Sequence, residues 1–145
     1  WFDEDNESSL NQNYFNSLIE GYDNIKFLGR QSDIPEIISL VDVSILPTYY
    51  REGTPRFLLE SMVMKKPIIT TKMPGCDHLI INNKNGVLIK PRSISAIKES
   101  INFICQQEIS IMGESSHEIY KSDFSEDVVY KSLIKIYDKI WETIY

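Results

Sequence analysis

Residues 49–75 of the chain read YYREGTPRFLLESMVMKKPIITTKMPG, and the fold prediction rests on them. It places Glu52 and Glu60 on either side of a Gly-Thr-Pro turn. An apolar, largely β-branched run precedes the turn at 43–47, and a second one follows at 67–71. Both runs are typical of strands that are buried on both faces of a parallel sheet. The stretch therefore predicts a loop and a helix between two neighbouring strands.

Four runs in all have this strand character. They are IKFLG (25–29), VSILP (43–47), PIITT (67–71) and GVLIK (86–90). Segments with helical periodicity separate them, and this alternation predicts right-handed crossovers between parallel strands. We therefore expect an α/β fold with a Rossmann-like open parallel sheet and helices on both faces.

Two helices are predicted between these strands from their N-terminal residues. Asp33 is in position to cap a helix over 33–41. Thr54 is expected to cap a helix over 54–64, with Pro55 at the first helical position, where its missing N–H costs nothing.

Other helices are predicted outside the strand region, over residues 10–20, 93–105 and 125–145. The last of these alternates apolar and charged residues at helical spacing, so it is expected to be an amphipathic closing helix with Ser125 as its cap. Residues 106–124 are polar and yield no prediction.

Composition limits the classes of protein that fit. A chain of 145 residues that is 42% hydrophobic is large enough for one domain with a core. The net charge of −6 argues against a nucleic-acid partner. Cys76 and Cys105 form no Cys-x-x-Cys motif, which predicts inert thiols in a reducing, cytoplasmic setting. No apolar run is long enough for a membrane span.

The predicted loop around Glu52 lies where open α/β sheets bind ligands, at the carboxyl ends of the strands. The helix that follows has free N–H groups and a partial positive charge at its start, which suit a phosphate. Gly53 would let a ligand approach the backbone. Because carboxylates accept hydrogen bonds from hydroxyls, Glu52 and Glu60 would suit a ligand with sugars flanking phosphates. From the residues alone, both glutamates are equally consistent with solvated surface positions.

From about residue 24 to residue 90, the chain resembles the C-terminal, donor-binding domain of retaining glycosyltransferases of the GT-B group, family 4. The resemblance rests on the glutamate-seven-residues-glutamate motif EGTPRFLLE, followed by SMVMKKPIITT and PG. The flanking segments NIKFLG, DIPEIISLVDVSILPTYYREG and NGVLIKP match in order and spacing. The sequence of these segments looks closest to that of bacterial enzymes that extend lipid-linked O-antigen, capsule or N-glycan precursors, often from UDP-activated sugars.

The resemblance implies roles for particular residues. Glu52 would be the catalytic residue that contacts the donor sugar, and Glu60 would bind the ribose of the nucleotide. The residues expected to bind the rest of the donor are Gly53, Thr54, Pro55, Arg56, Gly29 and Arg30, with the last two near the base. The pattern requires neither a metal nor a cofactor.

The resemblance also implies a mechanism and partners. A sugar would move with retention from a nucleoside diphosphate, UDP in our prediction, to a lipid-linked glycan at the inner face of the cell membrane. The leaving diphosphate would help to deprotonate the acceptor. An N-terminal acceptor domain, an Arg/Lys pair for the diphosphate and one or two strands are expected upstream of Trp1. Residues 1–145 would then be a truncated donor-binding domain that is inactive alone.

Other functions and two sequence departures remain open at this point. The chain could be a non-catalytic nucleotide-sugar-binding module, a GT-B-shaped epimerase or, least favoured, a flavodoxin-like regulatory domain. Lys65 stands where the family has a helix-ending Gly, and a left-handed Lys would cost about 1 kcal/mol, so the cap is left open. His78 replaces a common Glu, and it is either a substrate contact or a residue without a special role.

Overall fold

The computed structural model describes residues 11–144, which divide into two compact units at Ile34. In the N-terminal unit, helix α1 spans Gln12–Ile19, and the Asn11 side chain caps it by accepting the N–H of Asn13 at 2.8 Å. The chain leaves α1 through Gly21, at φ +82°. The predicted first helix is therefore confirmed within the described residues.

The strand predicted at 25–29 is wrong. In the described part of the chain this segment belongs to no strand, and Ile25, Phe27 and Leu28 are exposed rather than buried. An apolar, extended segment becomes a strand only when a neighbouring ladder accepts its N–H and C=O groups. Segment 25–29 has the composition of a strand, but no strand among the described residues pairs with it.

From Ile34 onward the elements follow the predicted alternation of helix and strand. In chain order they are α2 (Ile34–Ser39), β1 (Ser44–Leu46), α3 (Arg56–Val63), β2 (Ile68–Thr71), a 3₁₀ turn (Asp77–Leu79), β3 (Gly86–Ile89), α4 (Ile94–Ile104), α5 (Ile109–Ile119), a π-helical segment (Tyr120–Phe124) and α6 (Glu126–Ile144).

The three strands form one parallel sheet in the order β1-β2-β3. Ser44 lies opposite Ile68, and Ile69 lies opposite Val87. All four residues of β2 are buried, as expected for the central strand of a sheet covered on both faces. The predicted α/β class with a parallel sheet is confirmed.

Successive residues of β2 enter two different cores, because side chains alternate between the faces of a strand. Ile68 packs with Leu58 and Met62 of α3, together with Ile119 at the end of α5. Ile69 packs on the other side, in a cluster that includes Ile104 of α4. Helices α3 and α4 therefore cover opposite faces of the sheet.

Residues 106–124, for which the sequence yielded no prediction, form α5 and the π-helical segment. The buried positions of α5 are Met112, Gly113, Ser116 and Ile119, which have helical spacing but only two large apolar members. A Cβ at Gly113 would overlap the carbonyl oxygen of Lys65. Hydrophobic periodicity does not detect this buried side of α5, because close backbone contact, rather than large apolar side chains, joins α5 to the end of α3.

Helix α3 ends at a lysine in the left-handed conformation, which resolves the cap that the sequence left open. Lys65 has φ +56°. Its N–H donates to the Met62 carbonyl at 3.1 Å, and the Lys66 N–H donates to the Ser61 carbonyl at 2.9 Å. These two bonds form a Schellman motif, which is usually completed by glycine. The Lys65 ammonium also donates to Glu114 on α5 at 2.7 Å.

We expect Lys65→Gly to raise the free energy of unfolding by about 1 kcal/mol, because glycine adopts the left-handed conformation without strain. The hydrogen bond from Lys65 lowers the pKa of Glu114. Its contribution is present above the ordinary carboxyl pKa and is lost as the pH falls through the lowered pKa. The gain should therefore be larger in acid than at neutral pH, as measured by urea unfolding.

The matched control for this change is Asn83→Gly. Asn83 also has a positive φ, +65°, but asparagine tolerates this conformation better than lysine does. We expect little change in stability there. A loss of stability in Lys65→Gly at neutral pH alone would mean that the pair with Glu114 outweighs the backbone strain, whereas a loss at both pH values would contradict the strain assigned to Lys65.

The closing helix is confirmed as α6, but its cap differs from the prediction. The Ser125 carbonyl accepts the Val129 N–H at 3.0 Å, whereas its hydroxyl donates backwards to the Lys121 carbonyl at 2.9 Å. The apolar side of α6, which includes Leu133, Ile140 and Trp141, is exposed. Between residues 11 and 144, no helix has both the length and the apolar character required to cross a bilayer.

Candidate functional site

The loop that follows β1 carries Glu52 at the carboxyl edge of the sheet, where one hydrogen bond joins it to β2 and a second one forms within the loop. The Thr71 hydroxyl, at the end of β2, donates to the Thr48 carbonyl at 2.5 Å. The Tyr50 N–H donates to the Thr48 hydroxyl at 3.2 Å. The backbone before Glu52 is thereby fixed to the neighbouring strand, while the Glu52 side chain is exposed.

Gly75, in the loop after β2, packs directly against the Glu52 loop. It has φ +93°, and a Cβ at this position would overlap the carbonyl oxygens of both Glu52 and Gly53. No other residue type fits such a contact without moving one of the two loops. The PG pair of the sequence thus acts structurally, by letting two loops at the carboxyl edge meet backbone to backbone.

Gly53 has a different environment from Gly75. It is not among the residues with positive φ, and a Cβ added to it would meet nothing within 4 Å. Protein packing therefore gives no reason for glycine at this position. The open space beside its backbone is consistent with the predicted close approach of a ligand.

Thr54 is not the cap of α3, which corrects the sequence prediction. Pro55 is the N-cap residue, with extended ψ of 121°, and its carbonyl accepts the Leu58 N–H at 3.0 Å. The Thr54 hydroxyl instead lies 3.4 Å from Nε2 of His78. The helix therefore starts one residue later than the Thr-Pro pattern suggested.

The first turn of α3 has backbone donors to offer. Within the described residues, the N–H groups of Arg56 and Phe57 make no backbone hydrogen bond. Since α3 follows β1 in a parallel crossover, its N-terminus lies at the same edge as Glu52. This arrangement, with the positive end of the helix dipole, suits an anion such as a diphosphate.

Glu60 lies one turn into α3 and is paired with Arg56. Nε of Arg56 donates to Oε1 of Glu60 at 2.8 Å, while the side chains are 91% and 23% exposed, respectively. An ion pair with so exposed a cation contributes little to stability. A ligand that offers hydroxyl donors to Glu60 can therefore compete with Arg56 for the carboxylate.

A groove of about 430 Å³ runs beside Glu60. Its walls come from α2, α3 and the segment around the π helix: Pro35, Arg56, Leu59, Glu60, Val63, Met64, Tyr120, Phe124 and Glu126. Aliphatic and aromatic walls with a few charged groups are usual in small-molecule sites. Sequence reasoning missed Tyr120 and Phe124, because they lie in the segment for which it yielded no prediction.

Cys76 is buried next to this loop system and is held in its neutral form. Burial raises the pKa of its thiol, a hydrogen bond with Thr70 lowers it, and the negative charge of Glu52 raises it further. The thiol is therefore a poor nucleophile at neutral pH. Cys105, by contrast, is exposed.

Sequence reasoning also missed a cation at this edge. The Arg92 guanidinium, in the loop after β3, lies 4.4 Å from the centroid of the Tyr49 ring. A hydrogen bond and the charge interaction with Tyr50 raise the pKa of Tyr49. In the sequence, the only indication of this cation was that Arg92 follows a predicted strand.

Two of the predicted site residues belong to the other compact unit. Gly29 and Arg30 belong to the N-terminal unit, so their placement near a nucleotide base stays a prediction. His78 contacts Thr54 and the ring of Phe124, whose centroid is 5.7 Å away. In the part of the chain that the structure describes, no group of three His, Cys, Asp or Glu side chains is arranged to hold a metal ion.

Comparison with known proteins matches this chain to one family. The family model for glycosyl transferases group 1 matches residues 10–123. One curated relative, N,N'-diacetylbacillosaminyl-diphospho-undecaprenol alpha-1,3-N-acetylgalactosaminyltransferase of Campylobacter jejuni, is 25% identical over 83% of this chain and 32% of its own length. Another, UDP-Gal:alpha-D-GlcNAc-diphosphoundecaprenol alpha-1,3-galactosyltransferase of Escherichia coli, is 29% identical over 78% of this chain and 27% of its own.

Solved structures share the fold. The Anabaena protein Alr3699/HepE, solved in complex with UDP, is 25% identical and superposes with a TM-score of 0.71 over 92% of this chain and 37% of its own. The chain thus spans roughly a third of the length of the proteins to which it is similar.

Proposed function

Because this chain belongs to the family of group 1 glycosyl transferases, we propose that it is the donor-binding part of a retaining enzyme. That enzyme moves a hexose or N-acetylhexosamine from UDP to a lipid-linked glycan during surface polysaccharide synthesis. The observation that carries the proposal is the bracketing of the α3 N-terminus by Glu52 and Glu60. The relatives named for diphospho-undecaprenol acceptors and the relative solved with UDP support the choice of substrates.

The donor binds, in this proposal, along the first two turns of α3. The diphosphate accepts hydrogen bonds from the free N–H groups of Arg56 and Phe57. The ribose hydroxyls donate to Glu60, and the apolar groove beside that carboxylate takes the base. Glu52 then accepts hydrogen bonds from hydroxyls of the sugar, and the open space at Gly53 lets the donor lie close to the backbone.

Ribose binding would also change the position of Arg56. Hydroxyls that donate to Glu60 compete for the oxygen that Arg56 holds at 2.8 Å. A displaced guanidinium at the first position of α3 would lie beside the helix N-terminus, where the diphosphate is proposed to bind. Ligand binding would thus replace one exposed ion pair by a charge-assisted contact to phosphate.

The protein acts in this scheme by orientation and charge stabilisation. The helix N-terminus and Arg56 stabilise negative charge on the departing diphosphate. Glu52 orients the donor sugar so that the acceptor hydroxyl approaches the face that the diphosphate leaves. The leaving phosphate oxygen takes the acceptor proton, so the anomeric configuration is retained without a protein base or a metal. The proposed setting is the cytoplasmic face of the cell membrane, where the acceptor domain is supplied by sequence outside this chain.

We expect Glu60→Gln to weaken UDP binding about tenfold, because a neutral amide replaces the carboxylate that accepts the ribose hydroxyls. Isothermal calorimetry with UDP on the full-length protein measures this directly. Glu118→Gln, an exposed position on α5, is the matched control. Unchanged UDP affinity in Glu60→Gln would contradict the assignment, and absence of UDP binding in the wild type would contradict the proposed function itself.

A further inference from the structure

Three side chains from two loops form an aromatic shelf at the carboxyl edge of the sheet: Tyr49, Tyr50 and Arg92. The rings of the two tyrosines are 4.3 Å apart at their centroids, and their hydroxyls lie 3.0 Å from each other. The Arg92 guanidinium lies over the ring of Tyr49 at 4.4 Å. Tyr49 and Tyr50 are nevertheless 41% and 50% exposed.

Backbone features fix the two loops that carry the shelf. Thr48, directly before the tyrosines, is fixed by hydrogen bonds from Thr71 and Tyr50. Arg92 adopts a left-handed conformation, with φ +59°. Such strain in a residue other than glycine is concentrated at functional sites. Partly exposed aromatic rings on an anchored loop offer a surface on which a ligand can stack.

The cation of the shelf and the donor groups adjoin helices that cover opposite faces of the sheet. Helix α3, with Glu60, packs on the face of the sheet that contains Ile68. Arg92 lies two residues before the first residue of α4, which covers the face that contains Ile69. The proposed donor contacts use the start of α3 and Glu60, and they do not involve Tyr49, Tyr50 or Arg92.

Aromatic rings and a guanidinium together recognise a ligand that has both an apolar sugar face and an anion. Pyranose rings stack on tyrosine through their C–H groups, and arginine binds phosphate oxygens in a fixed fork. We propose that the aromatic shelf is a subsite for the acceptor, in which a sugar ring lies against Tyr50 and the adjoining diphosphate binds Arg92. This inference rests on the proposed function, since the acceptor is the lipid-linked sugar diphosphate named there.

Two synthetic lipids test the subsite in the full-length protein, in the absence of UDP. One carries N-acetylglucosamine on a short isoprenoid through a diphosphate, and the other carries the same sugar on the same isoprenoid without it. Tyr50→Ala should weaken binding of both lipids about tenfold, whereas Tyr50→Phe, which keeps the ring, should bind like the wild type. Arg92→Gly should weaken binding of the diphosphate lipid alone.

The choice of glycine at position 92 keeps the test decisive. Glycine removes the cation and relieves the left-handed strain, so the variant is not expected to lose stability. Unchanged lipid affinity in both Tyr50→Ala and Arg92→Gly, or no lipid binding by the wild type, would overturn the proposal. UDP binding is measured separately by calorimetry, and its absence in the wild type would overturn the proposed function while the lipid result still decides the shelf.

Discussion

Replacing Glu52 by glutamine should reduce sugar transfer by about 100-fold or more, while leaving UDP affinity within about twofold of the wild type. In the proposed arrangement Glu52 contacts the sugar that moves and not the nucleotide, so its loss affects the reacting centre alone. Its side chain is exposed and makes no core contact, so stability should not change. Transfer is measured in the full-length protein, from a UDP-sugar to a lipid-linked sugar diphosphate.

Glu99→Gln is the matched control for this prediction, because Glu99 is an exposed carboxylate on α4. It makes the same chemical change on the opposite face of the sheet from α3. Wild-type rates in Glu52→Ala with every donor tested would show that the assignment of Glu52 is wrong. Equal loss in Glu52→Gln and Glu99→Gln would show that the effect is one of charge and not of the site.

Gly75→Ala should cost about 2–4 kcal/mol of the free energy of unfolding and also displace the Glu52 loop. Two terms add at this position. The left-handed φ of +93° strains any residue with a Cβ, and that Cβ overlaps the carbonyl oxygens of Glu52 and Gly53. Urea unfolding measures the stability, and UDP calorimetry measures the effect on the site.

Two other glycines separate these terms. Gly21 has φ +82° with nothing near its missing Cβ, so Gly21→Ala measures the backbone strain alone. Gly53 has neither strain nor overlap, so Gly53→Ala should fold normally and weaken only the donor complex. The reactivity of the buried Cys76 thiol reports opening of the loop. A Gly75→Ala protein no less stable than Gly21→Ala would contradict the close packing of the two loops.

Sequence patterns located the three strands of the sheet correctly, but they did not show which apolar runs remain outside it. The runs at 43–47, 67–71 and 86–90 form β1, β2 and β3, each within one residue of the predicted ends. The equally apolar run at 25–29 does not form a strand. The difference lies in pairing and not in propensity, because a strand exists only where another chain segment accepts its hydrogen bonds.

For the candidate site too, the sequence predicted some features and missed others. The motif alone indicated Glu52, Glu60 and the helix start between them. It could not indicate that Pro55, rather than Thr54, precedes the first helical residue. It also could not indicate that Arg56 pairs with Glu60, since a four-residue spacing permits such a pair without requiring it.

The sequence was enough to predict three of its four candidate strands correctly, to place the start of α3 to within two residues, and to indicate which carboxylates flank that start. These features depend on residues that are close together in the chain. The tertiary structure alone decided that Gly75 supports the Glu52 loop, that Lys65 completes a Schellman motif against α5, and that Arg92 lies over Tyr49. Each of these contacts joins residues that are far apart in sequence, and their closeness is set by the packing of helices on both faces of one parallel sheet.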